Sequence, residues 1–77
     1  IHAAEVGEAE AQLHLSRLYA AGNGVPLDYV QAHAWANLAA ARGANGAAAQ
    51  RDLFAKLMTP EDVAAAQKKA RNYVAKN

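Results

Sequence analysis

The side chains able to do chemistry in this chain are few and scattered. Histidines stand at His2, His14 and His33, and two adjacent carboxylates at Glu61 and Asp62. A metal site on one helix would place two histidines four residues apart, and no pair here has that spacing. No aspartate or glutamate is positioned to complete an evident triad with them. Glu61 and Asp62 could in principle move a proton. They follow Thr59 and Pro60, however, and that context makes them the acidic first turn of a helix, where the backbone dipole favours negative charge. Trp35 and Tyr19 could form a platform for a sugar or cofactor, but their helical spacing makes them core residues. No catalytic residue, cofactor site or metal site is expected.

Composition narrows the class further. The chain has 77 residues and no cysteine, which removes a disulfide framework and a thiolate metal site alike. The missing cysteines leave the compartment open between cytoplasm and bacterial cell envelope. Eight basic and seven acidic residues give a net charge of +1, with no global attraction to nucleic acid or an anionic membrane. Lys68, Lys69, Arg71 and Lys76 cluster late, which suits the C-terminal end of a last helix. No apolar run approaches the roughly 20 residues that span a bilayer. The first residues lack the basic start and apolar stretch of a signal peptide and contain no methionine. The chain is expected to be a piece of something longer, or a processed product.

Alanine occupies 22 of the 77 positions, and alanine loses no side-chain entropy in a helix. The pattern predicts an all-α domain of four helices, near 8–21, 28–42, 45–58 and 60–75. In the first, Ala11, Leu15, Leu18 and Tyr19 share one face, and Glu5, Glu8 and Glu10 lie at its start. Gly22 is a left-handed C-cap, Pro26 stops helix propagation, and Asp28 caps the second helix. Ala32, Trp35, Ala36, Ala39 and Ala40 form that helix's apolar face, and Gly43 closes it. Tyr19 and Trp35 are expected to meet in one core. Ala47, Phe54 and Leu57 are core candidates in the third helix. Thr59 caps the fourth, which buries Val63, Ala66, Ala70, Tyr73 and Val74.

The chain also resembles itself. Gly7 aligns with Gly43, Ala11 with Ala47 and Leu18 with Phe54, all at an offset of 36 residues. The stretch EAEAQLHLSRLYAAGNGVPLDYVQAHAWANLAAARG resembles a Sel1-like repeat, a relative of the tetratricopeptide repeat. Ala11, Leu15, Tyr19, Gly22, Gly24, Val25, Asp28, Ala32, Trp35, Ala39, Ala40 and Gly43 carry the pattern. Ser16 departs from it, standing where the family usually has glycine. The second unit keeps only its first helix, and LMTPEDVAAAQKKARNYV resembles the helix that closes many bacterial arrays. The resemblance implies one full repeat at about 4–39 and a partial repeat with a capping helix at about 40–77. It implies an α-α solenoid of two antiparallel hairpins, the C-terminal portion of an array.

What the resemblance implies for function is protein–protein interaction, as an adaptor or assembly scaffold. A permanent accessory subunit of a larger complex is the alternative. Hydrolase activity, described for cysteine-rich secreted members, is a remote one in a chain without cysteine. Leu13 points roughly opposite Leu15 and Leu18, and Ala9 and Ala20 share its side. A helix apolar on two sides is usually sandwiched, and in a solenoid the preceding repeat covers the second side. The Leu13 side is therefore expected to meet another protein, a second copy or a missing N-terminal portion of the chain. Leu13, His14, Arg17 and Asn37 are the expected contact residues, with no role for nucleic acid or membrane insertion.

Overall fold

The computed structural model describes the backbone of residues 2–22, 24 and 26–76, and side chains from 8 to 73 except 23 and 25. The side chains of His2, Glu5, Val25, Val74 and Lys76, and the surroundings of Gly7, lie outside the described residues. Four helices pack against one another, with no strand among the described residues. They are α1 (His2–Ala21), α2 (Tyr29–Ala41), α3 (Ala47–Lys56) and α4 (Pro60–Lys76). α1 begins six residues earlier than its apolar pattern suggests, where Ala3, Ala4 and Glu5 favour helix and the helix continues through Val6 and Gly7 despite their weaker propensity.

Local chemistry sets the helix ends. Asp28 has extended backbone geometry, and its Oδ1 accepts hydrogen bonds from the N–H groups of Val30 at 3.0 Å and Gln31 at 3.2 Å. Those donors have no partner inside the helix, so the carboxylate supplies one. Upstream, Gly22 takes φ +67°, and a Cβ there would lie 3.3 Å from that of Leu27. The reversal is closed by the Asp28 N–H, which donates to the Tyr19 carbonyl at 3.1 Å. α2 ends in a Schellman turn: the Gly43 N–H donates to the Ala40 carbonyl and that of Ala44 to Ala39, both at 3.0 Å. Thr59 Oγ1 accepts from the Asp62 N–H at 3.1 Å and starts α4. Asp28→Ala should cost about 1 kcal/mol, the usual loss on removing an N-cap. A urea melt of the variant checks this, and an unchanged midpoint would show that water satisfies the first turn equally well.

α2 is the hub. α1, α3 and α4 each pack on it, and α3 and α4 lean on α2 rather than on one another. Ala32, His33, Ala34, Ala36, Leu38 and Ala39 are all buried, so the helix is covered almost all round. Alanines make this possible, because they let several backbones approach one helix closely. The Cα radius of gyration is 11.6 Å, the value of about 11–12 Å expected for a compact chain of this length.

Three clusters form around α2. Ala34 and Leu38 meet Ala66 and Ala70 of α4, with Val30, Trp35, Met58 and Tyr73 at the margin. Leu13 meets Ala39 and Ala47. Ala32 and Ala36 meet Phe54, with Tyr19, Ala20, Tyr29 and Met58 around them. Trp35 and Tyr19 thus belong to different clusters rather than one core. Trp35 packs edge-on against Tyr73, with ring centroids 5.2 Å apart. The reason is angular: Trp35 lies toward the α4 side of α2, whereas Tyr19 reaches the side where Phe54 sits. Leu57 is no core residue either. It is 64% exposed, because it falls one turn after the exposed Leu53, on the side of α3 turned away from α2.

Candidate functional site

α1 has two apolar sides, and their roles are the reverse of the sequence expectation. Ala9, Leu13 and Ser16 are buried, while Ala11 is exposed and Leu15 and Leu18 are only partly covered. Leu13 is 3% exposed and locked against Ala39 and Ala47, so it is not available to a partner in this structure. The physical reason is size. Ala9, Ser16 and Ala20 leave that side of α1 nearly flat, and it can lie close on the alanines of α2. Ser16 is fully buried there, so a hydroxyl-bearing side chain fits the contact where the repeat pattern has glycine.

The other expected contact residues separate. His14 and Arg17 are exposed on α1. Asn37 is partly buried in the α2–α3 seam, where its Oδ1 accepts from Arg51 Nη1 at 3.5 Å. That contact ties it to α3 while leaving it partly exposed. His14 belongs with the outward strip, since Ala11, His14, Leu15 and Leu18 recur at i, i+3, i+4 and i+7. Leu15 and Leu18 are partly buried but, among the described residues, are not packed against the three buried clusters.

Two features were not anticipated from sequence. One is an apolar row on the outward side of α3, where Leu53 is 53% exposed and Leu57 64%, one turn apart with Ala49 before them. The four-residue spacing of Leu53 and Leu57 was the available signal. The other is a set of buried polar groups. The Gln12 amide, the Ser16 hydroxyl and His33 Nδ1 are buried and have no hydrogen-bond partner among the described residues. No sequence signal marks them, because burial on α2 depends on which helices surround it.

His33 is held neutral. Burial lowers its pKa below the ordinary 6.5, the Arg51 guanidinium lowers it further, and Asp52 opposes both. Arg51 also contacts Asp52, Nε to Oδ1 at 3.2 Å. Because the folded-state pKa is depressed, the unfolded chain binds the proton more readily. Stability is then complete above the unfolded value of about 6.5 and declines as pH falls through the folded value. Urea midpoints should fall between pH 7 and pH 5.5, and His33→Gln should flatten that slope. An equal slope in the variant would assign the effect to another group.

Among the described residues, no group of three or more His, Cys, Asp or Glu side chains could hold a metal ion. No described helix is long and apolar enough to cross a membrane. Glu61 and Asp62 are exposed at the start of α4, and Lys68, Lys69 and Arg71 line its solvent face. Glu8 and Arg42 form an exposed ion pair at 3.6 Å between α1 and the end of α2, a contact of small energetic weight. Comparison with protein-family models, curated proteins and solved structures gave no match.

Proposed function

We propose that this chain is a non-catalytic protein-interaction module, a Sel1-like, tetratricopeptide-like segment that acts as an adaptor or assembly scaffold. The carrying observation is α1, a helix already packed on α2 that keeps a second apolar strip of Ala11, Leu15 and Leu18 on its outer side. The repeat motif from Ala11 to Gly43 supports the same reading. An α-solenoid uses its helices in this way, each contacting the neighbour on either side.

A permanent accessory subunit is the second reading, and the outward leucines of α3 favour it. Large apolar side chains exposed in a row are commonly covered in an assembly. Sedimentation and urea melting of the isolated chain separate the two. A recruitable adaptor is a stable monomer, whereas an accessory subunit alone self-associates or melts with little cooperativity. Retention of a defined protein by the immobilised native chain, and its loss when α1's outer strip is charged, is the expected result. A native chain that co-purifies with no protein under mild conditions would overturn both readings.

A further inference from the structure

The outward leucines of α3 carry a pair of opposite charges on one flank. Leu53 and Leu57 are mostly exposed, while Phe54 of the same helix is buried against α2. At about 100° per residue, Asp52 and Lys56 fall on one flank of the leucine row, a turn apart, and the uncharged Gln50 falls on the other. The Asp52 side chain is 68% exposed despite its contact with Arg51. Lys56 is exposed and makes no ion pair among the described residues. At the 36-residue offset, Leu53 and Leu57 stand where α1 has Arg17 and Ala21, both of them exposed. The row is therefore not the contact by which one repeat stacks on the next. α3 also lies between α2 and an α4 that packs on α2, so these positions are set without any segment preceding α1.

We propose that the outward side of α3 seats the α3 of a second copy of this chain, antiparallel and about a two-fold axis, in a weak, reversible dimer. The charges select this occupant. When two copies of a helix face each other antiparallel across a two-fold axis, the same flank of each meets. Asp52 of one copy then meets Lys56 of the other, and Lys56 meets Asp52, so two ion pairs form by symmetry. The register that aligns them sets Leu53 level with Ala55 of the second copy, between that copy's Leu53 and Leu57. Four leucines then leave water together. Parallel pairing would set the charged flank against Gln50, where there is no charge to match. An unrelated helix must bring matching charges of its own, whereas a second copy supplies them. The contact is one short helix wide, smaller than a stable dimer needs, so association depends on concentration.

The inference goes beyond the interaction-module reading, since α1's outer strip takes no part in it. Sedimentation equilibrium of the chain from micromolar to millimolar concentration should show monomer and dimer and no larger species. Leu53→Asp should leave a folded monomer over the same range, because it puts a charge into the apolar centre of the contact. Asp52→Lys and Lys56→Asp should each weaken self-association about tenfold, since each turns both ion pairs into like-charge contacts. An equimolar mixture of those two variants should dimerise as the parent does, because each supplies the charge that the other lacks. Helical circular dichroism checks the fold of every variant. Should Asp52→Lys disturb α3, Leu53→Asp and Lys56→Asp decide the matter, as neither residue takes part in the Arg51 contacts. A chain that stays monomeric at millimolar concentration overturns the proposal and leaves the interaction-module reading untouched. Self-association that survives Leu53→Asp overturns it too, and places the contact on another surface, as the accessory-subunit reading would. A mixture of folded charge variants that associates no better than either alone also overturns it.

Discussion

Leu13→Asp is expected to unfold the chain. Leu13 sits 3% exposed between Ala39 and Ala47, at the junction of α1, α2 and α3. Removing a buried leucine side chain costs about 2–5 kcal/mol, and an unpaired buried carboxylate adds several more. A domain of this size rarely has more than about 3–5 kcal/mol of stability from its core. The helical circular dichroism signal should therefore collapse at a temperature where the parent is folded. Leu18→Asp, on the opposite side of the same helix, should retain it. The reverse outcome would mean that α1 packs on α2 through Leu15 and Leu18, and that Leu13 faces outward as its sequence position first suggests.

The second large effect belongs to Phe54. Its ring fills the space over Ala32 and Ala36, tilted against Tyr29 with centroids 6.4 Å apart. Phe54→Ala leaves a cavity among alanines that are too small to collapse into it. The expected loss is about 3–5 kcal/mol. Leu57→Ala, three residues on, is the internal control. That side chain is mostly exposed, so its removal should change stability by no more than about 0.5 kcal/mol. Urea midpoints of the two variants measure the contrast. Equal losses would show that α3 is rotated from the orientation described.

The elements most legible in the sequence are those set by neighbours along the chain. Asp28 and Thr59 cap where expected because an N-cap needs only its own carboxylate or hydroxyl and the N–H groups two or three residues on. Gly22 and Gly43 reverse the chain because they reach positive φ without a steric penalty. Ala66 and Ala70 are buried as their spacing predicts, since α4 has one apolar side and charged residues on the other. Of the expected contact residues, His14 and Arg17 are exposed, Asn37 is partly buried at the α2–α3 seam, and Leu13 is buried.

What the sequence determined by itself was the helical class, the number of helices and the chemistry of their ends. Each follows from propensity and hydrogen bonding over a few residues. Which side of each helix faces inward was decided only by the tertiary structure. α1 is apolar on two sides, so its own pattern cannot rank them. The choice falls to the flatter Ala9, Leu13, Ser16 side because α2 presents a stripe of alanines that rewards close approach. Likewise Trp35 takes Tyr73 rather than Tyr19 as its partner, because α4 docks on that side of α2. His33 becomes a buried neutral base because α2 is enclosed by three helices, a condition that no short stretch of sequence contains.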